Sequence, residues 1–357
     1  MGLVNELMLR EMRSQPADLA EALIDLRRQA AGLPLPRPEQ VVLTGSGDSG
    51  FAAAAAELAF THALERPVWA LPSAAASRYG NGRIEGLTVV ISVSGEVRRT
   101  VEAAMAAKSA GGSVVAVTAG AGSTLAGLAD AVLLMPEPIS RSTPHTRDYT
   151  MTLLALLVLL EGLSETPIPE LDEWPEQVGD LLPAALAWAD RLAGAFALVD
   201  GPVWFLGMGP DRGTAAYGAL KFWEAGGSAA WWDDLEEFGH GSQLAARPSE
   251  LAVIFACGPA MSRAQEMADG IARMGLSPAL VGEGPFTDPD SLALPPIRPE
   301  FSPLLTSIPP QALAYAFATQ RGIDVELPMG GNPLGDLYDE VHRDWMRRSA
   351  LEPTRSG

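Results

Sequence analysis

Three ionisable side chains in the second half of the chain have the types and the spacing that proton-transfer chemistry needs. Lys221 and Glu224 are three residues apart in a segment of helical character, so they lie on one face of a helix. His240 follows in a glycine-flanked segment. A carboxylate can move a proton between adjacent carbons of a sugar while an ammonium group stabilises the enediolate and an imidazole opens the ring. The alternative is an ordinary surface ion pair with an unrelated loop histidine.

Hydroxyl-bearing side chains form a second group, because they follow predicted strands and precede predicted helices. In doubly wound sheets, ligands bind beyond the carboxyl ends of strands, where helix N-termini present N–H groups. Hydroxyls and backbone amides at such places suit a phosphate or another tetrahedral anion, although they can also be simple helix N-caps. The run G-S-G-D-S-G at Gly45–Gly50 has the G-x-G-x-x-G spacing, but a lone match is a weak signal, and no dinucleotide cofactor is expected. The three turns are Gly45–Ser49 (with Ser46 and Gly47), Ser92–Glu96 (with Ser94 and Gly95) and Ser142–Thr146 (with Thr143 and His145).

Composition narrows the class of protein and its partners. The chain has 357 residues, 47% of them hydrophobic, which is enough for two domains with substantial cores. Its net charge of −19 argues against nucleic acid and anionic membranes as partners. A single cysteine and four scattered histidines predict neither a disulfide framework nor a metal site. The N-terminus has no signal-peptide core and the apolar run at 151–160 is too short to span a bilayer, so we expect a cytoplasmic protein.

Strand and helix patterns alternate twice along the chain, which predicts a tandem pair of doubly wound α/β units with parallel sheets. We expect a helical segment at 1–35, a first domain at 36–165, a second at 166–325 and a tail at 326–357. The stretch 164–174 has the composition of a linker, and apolar residues of the tail are expected to pack on the body. The predicted strands are Val41–Thr44, Val68–Leu71, Thr88–Val93, Ser113–Thr118, Ala131–Met135, Pro202–Leu206, Ala229–Trp232, Leu251–Ala256 and Pro278–Val281.

The stretch from Leu206 to Gly241 resembles the isomerase half of glucosamine-6-phosphate synthase, whose pattern reads LGRG, EGALKLKE and ELKHGP. Further segments are similar to other motifs of that family. Met8–Pro16 resembles its M-x-x-E-I-x-x-Q-P helix, Gly47–Ser49 its G-T-S turn and Ser92–Glu96 its S-Q-S-G-E turn. His145–Thr150 resembles its S-T-K-x-F-T helix start. The resemblance covers nearly the whole chain and implies two sugar isomerase (SIS) domains.

The resemblance also implies roles for individual residues. Glu224 would be the proton-shuttling base, Lys221 its charge partner, and His240 the ring-opening group, donated across the interface of a homodimer. The substrate would be an anionic sugar, and no cofactor or metal is implied. Its anion would be bound by Ser46, Gly47, Ser49, Ser92, Ser94 and Gly95, with further substrate contacts from Glu96, Thr143, His145 and Arg147.

The chain departs from the family pattern at several of these motifs. Val93 and Val97 replace the glutamine and the threonine of the S-Q-S-G-E-T turn, and Tyr217 replaces the glutamate of EGALK. No lysine follows Lys221, so we expect no glutamine-dependent amination, and we expect no glutaminase domain before the two SIS domains and hence no glutaminase activity. Charge at the anion site could be restored by Arg98, Arg99 or Arg147, which leaves a sulfonated sugar open. We expect the Trp231–Trp232 pair to pack in the core or a dimer interface.

Two classes of function therefore follow from the sequence. The first is an aldose–ketose isomerase or an amino-sugar-phosphate isomerase or deaminase, which share the proton shuttle and differ in whether a nitrogen leaves C2. The second is a non-catalytic regulator that binds a sugar phosphate through its SIS domains. The intact trio of Lys221, Glu224 and His240 favours the enzyme, because a regulator needs only the anion-binding turns.

Overall fold

The computed structural model describes residues 5–138, 144–199, 201–225, 229–327 and 334–347. The chain divides into two units, each built on one parallel sheet. The first-sheet unit comprises Ala22–Pro138, Met151–Pro167 and Pro333–Gly357, and the second-sheet unit comprises Met1–Glu21, Ile139–Thr150 and Ile168–Asn332.

Five parallel strands form the first sheet, in the order β2-β1-β3-β4-β5. Every residue of β1 and β3 is buried, as the continuous apolar runs of these strands predict for a sheet covered on both faces. The strands are β1 (Val41–Gly45), β2 (Val68–Pro72), β3 (Leu87–Ile91), β4 (Ser113–Thr118) and β5 (Ala131–Leu134). The first six helices of the chain are α1 (Glu6–Ala30), α2 (Asp48–Leu64), α3 (Ser73–Tyr79), α4 (Arg98–Ser109), α5 (Thr124–Leu128) and α6 (Arg147–Ser164).

The second sheet repeats this topology, in the order β10-β9-β8-β6-β7 with all strands parallel. Its strands are β6 (Val203–Gly207), β7 (Ala230–Asp234), β8 (Leu251–Ala256), β9 (Ser277–Glu283) and β10 (Leu292–Leu294). The remaining helices are α7 (Glu170–Phe196), α8 (Asp211–Glu224), α9 (Leu235–His240), α10 (Met261–Arg273), α11 (Pro303–Thr306), α12 (Ile308–Gln320) and α13 (Gly335–Arg347). The predicted pair of parallel α/β sheets with flanking helices is confirmed.

In each sheet the strand order reverses next to the strand that comes first in the chain, between β1 and β3 and between β6 and β8. Such switch points are where doubly wound sheets bind ligands. The turns after β1 and β6, Gly45–Ser49 and Gly207–Asp211, have matching backbones. Gly47 and Gly209 have φ angles of +57° and +58°, which glycine adopts without strain. A Cβ on the first glycine of either turn would lie within 2.6 Å of backbone atoms of the last residue.

Two helix starts differ from the sequence-based expectation. Helix α7 begins at Glu170, inside the stretch expected to be a linker. Its acidic first turn favours a helix N-terminus, and Leu171 and Trp174 are fully buried, with the Trp174 Nε1 donating to the Leu304 carbonyl at 2.6 Å. Proline is favoured in the first turn of a helix, so Pro16 by itself would suggest a beginning there, but helix α1 begins at Glu6 and continues through this residue. Burial of one face therefore outweighs local breaker signals.

The tail and the tryptophan pair are more exposed within the single chain than packing in its core would make them. Residues 335–347 form helix α13, and Leu334, Leu337, Tyr338 and Trp345 are all exposed, from 43% to 66%, instead of packed. Trp231 and Trp232 lie on the edge strand β7 and are half-exposed within the chain. The Trp231 ring stacks on Trp204 at 5.6 Å. Across the described ranges, no helix combines the length and the apolar character needed to cross a bilayer.

Candidate active site

The turns after β1 and β3 lie at neighbouring strand ends, because these two strands pair in the first sheet. Helix α2 begins after the N-cap Gly47, and helix α4 begins after the N-cap Val97. In neither case does an N-cap side chain accept a hydrogen bond from the helix. The serines of these turns are therefore not helix caps, and N–H groups at the two helix N-termini can donate hydrogen bonds to an anion.

The turn after β3 is held in shape by its own hydroxyls. The buried Ser92 Oγ accepts a hydrogen bond from the Gly95 amide at 3.1 Å, and the exposed Ser94 Oγ accepts one from the Glu96 amide at 3.3 Å. Gly95 has a φ of +68°, and a Cβ there would lie 2.0 Å from the Ser123 Oγ. Only glycine fits this position, and the turn that it permits leaves the Ser94 side chain exposed to a ligand.

The remaining candidate residues of the first-sheet unit occupy different environments. Ser49 is buried in the first turn of α2, whereas Ser46 is exposed. Glu96 accepts hydrogen bonds from the Thr124 amide at 2.7 Å and the Thr124 Oγ1 at 2.8 Å, and these bonds hold the pKa of Glu96 below its ordinary value. Glu96 therefore stabilises the start of α5 as an anion.

The arginines expected to restore charge are mostly engaged elsewhere. Arg99 is paired with Glu102 at 2.6 Å, and the buried Arg147 is paired with Asp18 at 2.5 Å. Arg98 is exposed at the first position of α4. Thr143, the other candidate contact, lies outside the described residues.

Lys221 is fully buried near the end of α8 and paired with Glu224. Its Nζ lies 2.5 Å from the Glu224 Oε2 and donates to the His145 carbonyl oxygen at 3.1 Å. The Glu224 side chain is 20% exposed, so solvent or a ligand can reach the carboxylate. The spacing of three residues predicted that the two side chains share a helix face, and the surface ion pair offered as an alternative does not describe them.

Tyr217 explains how the chain tolerates the loss of the family glutamate at that position. Its ring stacks on Tyr149 with centroids 3.6 Å apart, and the Lys221 Nζ lies 5.1 Å from the centre of the Tyr217 ring. An aromatic face stabilises a cation that has been removed from water. Tyr217 thus supports the buried ammonium without competing for the Glu224 carboxylate.

A histidine–aspartate pair lies beside these residues at the start of α6. The His145 Nδ1 lies 2.9 Å from the Asp148 Oδ2. Burial alone would lower the pKa of His145, but the hydrogen bond and charge of Asp148, helped by the charge of Glu224, outweigh burial and the opposing charge of Lys221. The pKa of His145 is therefore above its ordinary value.

Buried polar residues of α1 hold the 144–150 segment, and sequence reasoning did not assign them a role. Thr146 Oγ1 donates to Glu11 at 3.3 Å, and Thr150 Oγ1 donates to Gln15 at 2.9 Å. Gln15 in turn donates to Gln311 at 2.8 Å. Burial, followed by the charge of Asp148, raises the pKa of Glu11. The signal was present in the Met8–Pro16 motif, whose acid and amide are these two residues.

The chain does not bring His240 together with the Lys221–Glu224 pair. The end of α8 lies at the start of β7, where the Trp223 Nε1 donates to the Ala230 carbonyl at 3.1 Å. His240 ends α9, which follows the other end of β7. Its side chain is 71% exposed, and its Nε2 is 3.5 Å from Glu236.

The second switch point contains a carboxylate. Asp211 is buried at the start of α8, where it accepts hydrogen bonds from Ser302 Oγ at 2.9 Å, Thr306 Oγ1 at 2.5 Å and Thr214 Oγ1 at 3.4 Å. Burial raises the pKa of Asp211 to about 6. A carboxylate ionised at neutral pH repels a bound anion, so this turn does not duplicate the anion-binding features of the first. Within the described part of the chain, no three His, Cys, Asp or Glu side chains converge to hold a metal ion.

The family model for the SIS domain matches residues 35–162, which contain the whole first sheet and the turns after β1 and β3. This part of the chain is therefore similar to an SIS domain. One curated relative, the glutamine–fructose-6-phosphate aminotransferase [isomerizing] of Caldanaerobacter subterraneus subsp. tengcongensis, is 29% identical over 261 residues. That alignment covers 68% of this chain and 42% of the relative. The chain spans about half the length of the curated relatives it matches.

Solved structures share the fold over most of the chain. Glucosamine-6-phosphate deaminase from Thermotoga maritima has a TM-score of 0.74 at 20% identity, covering 89% of this chain and 96% of that structure. The tagatose-6-phosphate ketose/aldose isomerase of Escherichia coli has a TM-score of 0.79 at 19% identity, covering 92% and 95%. Both sheets of this chain therefore share the fold of these two structures.

Proposed function

We propose that this protein is an isomerase, or an amino-sugar-phosphate isomerase or deaminase, acting on an anionic sugar. Glu224 removes a proton from the carbon next to the carbonyl and returns it to the neighbouring carbon, through an enediol or enediolamine intermediate. Lys221 stabilises the negative charge that develops on oxygen. The turns at Gly45–Ser49 and Ser92–Glu96 hold the acid group of the sugar.

The observation that carries this proposal is the buried ion pair of Lys221 and Glu224. Removing an ammonium group from water costs several kcal/mol, which a hydrophobic residue of similar size would avoid. An exposed helix ion pair would serve stability equally well without that cost. The partly accessible Glu224 carboxylate can move a proton, and the fully buried Lys221 ammonium group next to it can stabilise a developing oxyanion.

The related proteins suggest which sugars to test. The solved structures include a deaminase of glucosamine 6-phosphate and an isomerase of tagatose 6-phosphate, and the curated relatives act on fructose 6-phosphate. A six-carbon sugar with a terminal phosphate is the shared chemistry, and a sulfonate is a tetrahedral anion that the same turns fit. We also propose that a homodimer supplies His240 to the site, since one chain leaves it far along β7 from Glu224.

Solvent-proton exchange tests the proposed reaction. The wild-type protein is incubated in D₂O with each phosphorylated or sulfonated hexose and hexosamine, and deuterium at C1 and C2 is followed by NMR. Glu224→Gln should slow exchange at least about 100-fold while the dissociation constant, measured by thermal shift, stays within about threefold. Glu237→Gln on α9 is a matched control for the same chemical change.

The outcomes separate the two classes of function. If the Glu224→Gln variant still exchanges protons at the wild-type rate, Glu224 is not the base. Binding of a sugar without exchange in the wild-type protein would instead favour a sugar-binding regulator. Ammonia release with a hexosamine phosphate would identify the deaminase, and exchange without it the isomerase.

A further inference from the structure

His145 and Asp148 form a second ionisable pair beside Lys221, within the second-sheet unit. The 2.9 Å contact joins the His145 Nδ1 to the Asp148 carboxylate, and the His145 carbonyl oxygen accepts the Lys221 ammonium group at 3.1 Å. The Asp148 side chain is 10% exposed and that of His145 is 29% exposed. An imidazole that is accessible and backed by a buried carboxylate is thus tied directly to the proposed catalytic lysine.

The arrangement is a feature of this chain rather than of the motif it resembles. The pattern S-T-K-x-F-T has serine where this chain has His145, and Asp148 falls at its unrestricted position. The two residues are three apart at the start of α6, so they share a helix face. The pair therefore arises in a single turn, from a histidine in place of the motif's serine and an aspartate at its unrestricted position.

The carboxylate determines which ring nitrogen is available for chemistry. Asp148 takes the Nδ1 side of the ring, so the Nε2 is the atom that can exchange a proton with a ligand. The groups that act on the imidazole are Asp148 and Glu224, which favour its protonated form, and Lys221, which opposes it. Glu11 also faces the pair through Thr146 and Asp148. Together these groups raise the pKa of His145 above its ordinary value.

We propose that His145 is a catalytic acid–base residue for the sugar oxygens, with Asp148 as its positioning residue. This inference rests on the proposed function, because it assigns the second proton of the same reaction. Glu224 takes the proton from C2, and the electrons of that C–H bond form the C1–C2 double bond. The carbonyl π electrons move to O1, which takes the proton from the His145 Nε2. In the second half, O2 returns a proton to His145 while the Glu224 carboxyl protonates C1, so the protein regains both starting states.

The test combines a pH–rate profile with histidine NMR. The substrate is the panel sugar that shows the fastest wild-type exchange, and the variants are His145→Gln, Asp148→Asn and the exposed control His62→Gln. His145→Gln should lower kcat by about 100-fold or more with a small change in KM, and should lose the basic limb of the profile. Asp148→Asn should move that limb about one unit toward lower pH, because it removes the charge that favours the imidazolium. His62→Gln should change neither.

The NMR measurement is made on the ligand-free protein with labelled histidine. The resonance absent from His145→Gln should titrate above the ordinary histidine value in the wild type and fall toward that value in Asp148→Asn. A His145→Gln enzyme that keeps its basic limb and a kcat within threefold of wild type would overturn the inference and leave the proposed function intact. A His145 midpoint below the ordinary histidine value would also overturn the inference. A wild-type protein inactive on the whole panel would refute the proposed function itself.

Discussion

Asp211 occupies in the second sheet the place that Ser49 occupies in the first. Each is the last residue of a five-residue turn with glycine at its first and third positions, and each begins or follows the start of a helix at a topological switch point. The backbones match, but the side chains differ in charge. A neutral hydroxyl admits an anion, whereas the carboxylate binds the hydroxyls of its own unit. The first turn therefore leaves room for the proposed anion, whereas the second supports the packing of its own unit.

Anion binding should depend on the hydroxyl of Ser49. Ser49→Ala is expected to weaken binding of the most stabilising panel sugar about tenfold, the value of one hydrogen bond to a charged group. Ser49→Asp should abolish binding, because it recreates the charge of Asp211 in the first turn. Isothermal titration of both variants checks this, with Ser109→Asp at the end of α4 as the control. Wild-type affinity in Ser49→Asp would show that the anion binds elsewhere.

The shape of the turn after β3 should require glycine at position 95. Gly95→Ala places a methyl group 2.0 Å from the Ser123 Oγ and forces alanine into a left-handed conformation, so the turn must move. We expect a loss of roughly 1–3 kcal/mol in the free energy of unfolding and at least tenfold weaker sugar binding. Denaturant titration and calorimetry measure the two effects. Gly127→Ala is the matched control, since nothing lies near its added methyl group.

Asp211 should make stability depend on pH in a defined window. Its pKa is about 6 in the folded protein, raised by burial from the model-peptide value of 3.8. Between these two values the folded state holds a proton that the unfolded state has lost, so the contribution of Asp211 to stability is full below pH 3.8 and is lost as the pH rises to about 6. The difference in free energy of unfolding between Asp211→Asn and wild type should rise by about 3 kcal/mol across this window. A difference that stays constant with pH would contradict the raised pKa.

Lys221 and Glu224 should be strongly coupled. Lys221→Met removes a buried ammonium group, and Glu224→Gln leaves that ammonium group without its carboxylate, which costs about 3–5 kcal/mol for a buried pair. The double variant should be more stable than the sum of the two losses predicts, with a coupling of about 2 kcal/mol in a double-mutant cycle. Urea unfolding of the four proteins measures it. A coupling near zero would mean that the pair behaves like an exposed one.

Pattern along the chain predicted the strands well and the helix starts poorly. The five strands of the first sheet and four of the second were predicted, because continuous β-branched and aliphatic runs have few other solutions. Strand β10 was missed because three residues carry no periodicity. The start of α7 was not predicted, because the segment is rich in prolines and acidic residues, which are typical of a linker. This helix start depends on the burial of Leu171 and Trp174, which the local sequence does not indicate.

The candidate site was predictable where residues are close in the chain. A spacing of three residues fixed Lys221 next to Glu224, and the glycine–serine turns fixed the backbone shapes at the ends of β1 and β3. Contacts between distant segments were not predictable. Lys221 donates a hydrogen bond to the His145 carbonyl oxygen, and Thr146 donates one to Glu11. Each bond joins residues that are far apart in the sequence, so only the folded chain reveals it.

The burial of Lys221 has a practical consequence for anyone who wants to attach a label to this protein. The whole sequence contains two lysines, Lys108 and Lys221. The Lys108 side chain is 40% exposed at the end of α4, remote along that helix from the turn after β3, whereas Lys221 is 0% exposed. Amine-reactive dyes or resins will therefore modify a single lysine on the native molecule. A second modified lysine, detected by mass spectrometry, will report that the chain has opened.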